Sequence, residues 1–251
     1  MKPKPINGHA ALASITEHPA LALRERVLQR VIRSHAHESQ FHTVRRDAGA
    51  WQQTQAGARS KLLASTGVAR SMLVELSPSA ALECASGQTQ QEFVLLGGQL
   101  SMGTEVIACG DVACTPHDAV HTLRAGAAGA SLYLRLSDPA ESAVLPSRFQ
   151  TLVDDSSWQD FCPGVRIKVL WSGGARSSVL VRMRAGAHVN AHSHALEEEC
   201  LMLAGEAFIG DTLLRGGEYQ LAPQGSRHGA IQTDVGALFY VHGSLDPAAY
   251  A

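Results

Sequence analysis

The chain matches itself at an offset of 107 residues, and that repeat narrows the folds open to it. Trp51-Gln52 aligns with Trp158-Gln159, and Gly57, Arg59 and Lys61 with Gly164, Arg166 and Lys168. Leu73-Val74 aligns with Leu180-Val181, and Gly98, Gly103, Gly110 and Pro116 with Gly205, Gly210, Gly217 and Pro223. His121 falls on His228 and Tyr133 on Tyr240, with no gap between Trp51 and Tyr133. Turn glycines alone could align by accident; Trp, Pro, His and Tyr in the same register do not do so easily. The repeat predicts two tandem copies of one module.

The module is a β structure. Runs such as SMLVEL, EFVLLGGQL and SLYLRL, then SVLVRM, ECLMLAGEAF and ALFYVHG, are short and are separated by Gly, Pro, Asp and Ser. Evenly spaced short strands with turn signals predict a sandwich or a barrel. The expected division is an N-terminal arm over 1–40, a first module over 41–140 and a second over 141–251. Within the arm, Pro19 to Ile32 reads as a helix, with proline in its first turn. Leu21, Leu28 and Ile32 share one face, and Arg26, Arg30 and Arg33 form a basic stripe. That helix is expected to pack on a module or on a second subunit.

The chemistry lies in two blocks of the second copy. One reads G-x5-H-x-H-x3-E-x6-G, from Gly186 through His192, His194 and Glu198 to Gly205. The other reads G-x5-P-x-G-x2-H, from Gly217 through Pro223 and Gly225 to His228. Alternate residues of a strand share a face, so His192 and His194 project together, and Glu198 keeps their parity if the strand continues. Three imidazoles and one carboxylate suit a divalent transition metal. His188 is expected at the rim. Glu197 and Glu199 should point away, in solvent or in a structural role. The first copy has Ala85, Gly87 and Gln91 where the second has His192, His194 and Glu198, and keeps only His121. Its module is expected to be metal-free.

Both blocks resemble the two cupin motifs, and the first block, with its EE before an apolar run, resembles the ChrR-type cupin domain. The second cupin motif ends in Asn, where this chain has Gln232. The resemblance implies an all-β fold of tandem double-stranded β-helix (jelly-roll cupin) barrels behind a short N-terminal helix. It implies His192, His194, Glu198 and His228 as the ligands of one divalent transition metal per chain. Zinc is the first expectation and Fe, Ni, Mn or Cu the alternatives. It also implies a homodimer. ChrR-type anti-sigma factors carry a separate zinc-binding domain with an H-x3-C-x2-C pattern. The arm here has no cysteine before the first module, and a sigma factor is a doubtful partner on that ground.

Bulk properties narrow the function classes. Lys and Arg number 21 against 23 Asp and Glu, a formal charge of −2, which argues against a nucleic-acid surface. No apolar run reaches membrane-span length, and no secretory signal is evident. The five cysteines include no C-x-x-C and fit reduced thiols in the cytoplasm. Cys84 and Cys200 lie near the motif positions and are expected to be buried and apolar. Three readings remain: a regulatory cupin that binds a metal and a small-molecule ligand, a metal-dependent dioxygenase, or a structural protein whose metal pins the barrel. No catalytic residue can be named. Tyr240 and His242 end a late strand and are candidates for lining the barrel, with core packing preferred for Tyr240.

Overall fold

The computed structural model describes residues 19–84, 89–115, 121–138, 148–150, 157–173 and 175–244. It contains an N-terminal unit and a β unit that begins at Phe41. The N-terminal unit is helix α1, Pro19–Glu38, six residues longer than expected at its C-terminal end. Arg33 to Glu38 contain no glycine or proline to end it. The helix stops where Ser39 turns back: its Oγ donates to Ala36 O and its N–H to His35 O.

Twenty-one strands make up the described β unit. Those of the first half are β1 (His42–Val44), β2 (Gln52–Gln55), β3 (Ala58–Ser65), β4 (Ala69–Leu76), β5 (Ala81–Cys84), β6 (Gln90–Met102), β7 (Glu105–Ala108), β8 (Val112–Thr115) and β9 (His121–Ser137). Next come β10 (Arg148–Gln150), β11 (Gln159–Cys162), β12 (Val165–Gly173), β13 (Arg176–Met183), β14 (His188–Val189) and β15 (His192–Ser193). The last are β16 (Glu198–Ile209), β17 (Thr212–Arg215), β18 (Tyr219–Ala222), β19 (Arg227–His228), β20 (Ile231–Gln232) and β21 (Ala237–Gly243).

Nineteen of them form two large antiparallel jelly-roll sheets, and β15 and β19 form a separate pair. One runs β10-β8-β6-β9-β4-β3-β2, with β5 and β7 attached. The other runs β1-β18-β16-β21-β13-β12-β11, with β14, β17 and β20 attached. The two orders correspond strand for strand at the offset of the sequence repeat. The first strand of each half sits in the opposite sheet: His42 pairs with Leu221, and Arg148 with Cys114.

Strand parity explains the apolar runs. Val179 and Val181 of β13, Cys200 and Met202 of β16, and Phe239 and Val241 of β21 enter the core of the second sheet. Their neighbours Leu180, Leu201 and Tyr240 face the other way. There they meet Val94, Val112 and Tyr133 of the first half in a core between the sheets. Phe93, Leu95, Leu132 and Leu134 fill the first sheet's own core. Central strands with both faces buried show little hydrophobic alternation. Each fully buried Leu or Phe contributes about 1.5–3 kcal/mol of transfer free energy.

Two glycines are required at corresponding bends. Gly98 and Gly205 have φ of 78° and 73°, beside register shifts of β6 and β16 against their neighbours. A Cβ on Gly205 would run into the carbonyl oxygen of Gly236, and one on Gly98 into that of Gly129.

Candidate metal centre

His192 and His228 lie directly opposite each other in the two-stranded pair β15–β19. The pairing continues through His194, whose N–H donates to Ser226 O and whose carbonyl accepts from Gly225 N–H. Gly225, at φ 77°, makes the turn that brings His228 back to face His192. Glu198 arrives differently from the simple parity expectation. The strand carrying His192 ends at Ser193, and Glu198 opens the next one, paired with Ala222 of β18. A turn over 194–197, not a continuous strand, delivers the carboxylate.

The structure brings all four residues together. One donor atom from each lies within 4.8 Å of the others. Glu198 Oε2 is 3.6 Å from His194 Nδ1, and Oε1 is 3.7 Å from His228 Nε2. These separations exceed hydrogen bonds. Ligands around one ion with bonds of ~2.1 Å stand roughly 3–3.5 Å apart, so small inward shifts suffice. His192 Nδ1 lies 2.9 Å from Asn190 O, and His228 Nδ1 lies 3.2 Å from Gly229 O. Donation to those carbonyls places the proton on Nδ1 and leaves Nε2 as the free donor in both rings. His194 Nε2 is buried with no hydrogen-bond partner among the described residues. A buried imidazole nitrogen without a partner beside a carboxylate and two further imidazoles fits a cation.

Electrostatics point the same way. Burial pushes the Glu198 carboxyl up, but His194 and His228 more than reverse this and hold it at about 2. Burial lowers the His192 pKa, favouring the neutral ring that a metal needs.

His192, Glu198 and His228 form one wall of a cavity of about 50 Å³. The rest of its lining is mostly apolar, including Phe161, Ile167, Val179, Ile231, Phe239 and Val241, with Cys200, Gln220 and Ser244 as polar exceptions. Cys200 is buried and its thiol pKa is raised by burial. Gln220 donates to Thr43 Oγ1 of β1, 3.1 Å away. Sequence reading missed Gln220, which shares a face of β18 with Ala222, the partner of Glu198.

Other expected positions fall elsewhere. His188 is exposed at the edge and pairs with Gln232, which is also exposed and takes no part in the site. Tyr240 and His242 do not line the cavity. They are on the opposite parity of β21 from Phe239 and Val241 and face the core between the sheets, where Tyr240 is fully buried. In the first half, Gln91 is buried and Cys84 pairs with His121 in register. Burial raises the Cys84 thiol to about 11. Ala85, Gly87 and Pro116 lie outside the described residues.

Glu199 is structural rather than solvated. Its side chain is 3% exposed, and Oε1 accepts from Arg135 Nε at 2.8 Å. Oε2 accepts from Tyr133 Oη at 3.0 Å, Tyr219 Oη at 2.8 Å and Ser71 Oγ. Burial raises its pKa, and Arg135 with the hydroxyl donors reverses the shift to below the usual range. Glu92, its counterpart in the repeat, accepts on Oε2 from Trp171 Nε1 at 3.0 Å and Ser178 Oγ at 2.8 Å. Burial holds the Glu92 pKa up. The neighbouring His242 is held neutral by burial. Glu197 pairs with Arg176 at 2.9 Å.

Comparison with known proteins agrees with this architecture. Residues 146–246, which include all four candidate ligands, match the ChrR Cupin-like domain family. No curated protein matches the chain. A proposed dioxygenase from Nostoc punctiforme PCC 73102 superposes with a TM-score of 0.67 at 16% identity, over 84% of this chain and 85% of its own. A point mutant of Bacillus subtilis oxalate decarboxylase gives 0.62 at 14% identity, over 84% and 78%. A cupin 2 conserved barrel domain protein from Leptotrichia buccalis gives 0.59 at 11%, over 77% and 92%. At such identities the likeness is one of fold. The chain therefore has the cupin fold, and its residues 146–246 are similar to the ChrR cupin-like domain.

Proposed function

We propose that this protein is a ChrR-like regulatory bicupin that holds one divalent transition metal in its second module and receives a small ligand there. The observation that carries this reading is the meeting of His192, His194, Glu198 and His228 at the wall of an apolar cavity. Three neutral imidazoles and one carboxylate would leave a bound divalent ion with one net positive charge. A metal so placed supplies Lewis acidity and a binding point for an oxygen or nitrogen donor. His192 and His228 present Nε2 because backbone carbonyls hold their Nδ1 protons. Glu198 supplies the single negative charge. The apolar wall excludes bulk water and selects a small, largely uncharged ligand body. The cavity lining offers no lysine, arginine or free carboxylate as an acid or base among the described residues. That composition suits reception of a ligand better than hydrolysis.

The first module, with Gln91 and His121 at ligand positions, is a metal-free partner in this reading. A metal-dependent dioxygenase is the second reading. It is favoured by the mostly apolar cavity and by the dioxygenase and oxalate decarboxylase descriptions of the fold neighbours. The test is elemental analysis of protein purified without added metal, then anaerobic iron loading and an oxygen-uptake screen over small enols and diketones. One equivalent of metal with no uptake supports the regulatory reading. Sustained uptake with any substrate replaces it with the enzyme. Absence of stoichiometric metal refutes both.

A further inference from the structure

The two buried acids between the sheets are counterparts at the offset of 107 residues, yet they are built differently. Ser71 corresponds to Ser178, Glu92 to Glu199 and Tyr133 to Tyr240. The position of Arg135 is occupied in the second half by His242. Glu199 therefore receives a guanidinium from the first sheet, whereas Glu92 receives only uncharged donors from the second. Glu199 directly follows the candidate ligand Glu198, while Glu92 follows Gln91. The other neighbour of Glu198 repeats the contrast. Glu197 is paired with Arg176, and the corresponding positions in the first half are Gln90 and Ala69. Arginines donate to both acids that flank the candidate ligand; beside its counterpart Gln91, Arg135 lies across the strand from Glu92 and acts on it through space, while the hydrogen bonds to Glu92 come from Trp171 and Ser178.

Geometry explains why the clamp would matter. Glu198 is the first residue of β16 and follows a turn. Its strand pairs with β18 from Glu198 onward, but with β21 only from Glu199 onward. Glu199 is thus the first residue of β16 secured on both sides. Strand parity points its side chain away from the metal site, into the first sheet's donors. Fixing Glu199 fixes the backbone from which Glu198 projects.

We propose that Arg135 of the first sheet is a positioning residue for the metal site of the second, acting through Glu199 on Glu198. The first module then has a task without a metal of its own: it holds a ligand strand of its neighbour. This inference rests on the metal reading above.

The test compares full-length wild type with Arg135→Met/Glu199→Gln, which removes both buried charges and keeps most of the volume. Zinc affinity by chelator competition and the visible spectrum of the Co(II)-loaded protein are the readouts, with near-ultraviolet circular dichroism as the check on folding. The double variant is expected to stay folded, to bind zinc about 10–100-fold more weakly and to show a changed Co(II) spectrum. Glu92→Gln, at the counterpart position, is expected to leave both metal readouts at wild type. Tyr133→Phe removes one donor to Glu199 at nearly constant volume and carries the test if the double variant does not fold; a weaker, spectrally altered site is expected. Unchanged affinity and spectrum in the folded double variant, or in Tyr133→Phe in its place, overturns the inference. So does an equal loss in Glu92→Gln, which would mean general loosening between the sheets. A wild type that takes up no metal refutes the metal reading itself and is told apart by that result.

Discussion

Glu199→Gln and Glu92→Gln are chemically the same change at corresponding positions, and the structure makes their costs unequal. Arg135 and Glu199 have side chains 2% and 3% exposed, at 2.8 Å. Removing the carboxylate charge takes from the buried guanidinium the acid it bonds at 2.8 Å, and breaking such a pair costs about 3–5 kcal/mol. That is a large share of a total stability on the order of 5–15 kcal/mol. Glu92 feels Arg135 only through space, from across the strand, and among the described residues no charged side chain donates to it. Its donors are an indole and a hydroxyl, its Oε1 is unpartnered among the described residues, and burial raises its pKa. Exchanging a carboxyl of this kind for an amide costs about 1 kcal/mol, the worth of one ordinary hydrogen bond. Urea unfolding at neutral pH measures both, with the midpoint and m value fitted separately. The expected gap is roughly 2–4 kcal/mol, with Glu199→Gln the less stable. Equal losses, or a larger loss at Glu92, would refute the assignment of a charged cluster on one side and an uncharged one on the other.

The same two acids give opposite pH responses. The Glu199 pKa is lowered on folding, so its contribution is present above the unfolded value of about 4.3 and is lost as pH falls through the folded value. The Glu92 pKa is raised, so its contribution is present below about 4.3 and is lost as pH rises through the folded value. Glu199→Gln should therefore flatten the limb of a stability–pH curve below about 4.3 and Glu92→Gln the limb above it; two unaltered limbs would contradict the shifts. Zinc at one hundred times its dissociation constant should stabilise the fold by about 2.7 kcal/mol, a melting increase of roughly 5–10 °C. Calorimetry on His192→Ala should show no such increase. Glu198→Ala should lose the metal; full occupancy, read by elemental analysis, would sink the four-ligand assignment. Gly205→Ala should cost more than about 2 kcal/mol, because φ is 73° and a carbonyl oxygen occupies the Cβ position, whereas Gly103→Ala meets open space and should cost about 1 kcal/mol. Thermal melts of the two variants check the order.

Much of this was legible in the sequence, for physical reasons. The grouping of His192, His194 and His228 could be read because a strand pair and a glycine turn impose fixed spacing on them. The all-β class followed from short apolar runs punctuated by turn residues. The clamp around Glu199 could not be read, because an acid that follows an acid at a strand start gives no sign of whether it meets water or a buried arginine 64 residues away. Tyr240 and His242 were candidates for the cavity because periodicity shows that alternate residues share a face, but not which face is which. In a strand apolar on both sides, that information lies in the packing. The turn that delivers Glu198 was likewise hidden, because even spacing looks the same through a strand and through a tight turn.

The exchange of first strands has a consequence in time as well as in space. β10 pairs with residues made shortly before it: Arg148 meets Cys114. β1 has no such neighbour at hand, because His42 waits for Leu221, which lies 221 − 42 = 179 residues later in the chain. At a synthesis rate of about 5–20 residues per second, that wait is roughly 10–35 s. Two positions that look equivalent in the finished molecule are thus far apart in the order of assembly. One strand closes on a partner already waiting, and the other stays unmated until nearly the whole β unit has been synthesised. β1 is therefore made before the rest of the β unit and is among the last of its strands to find its place.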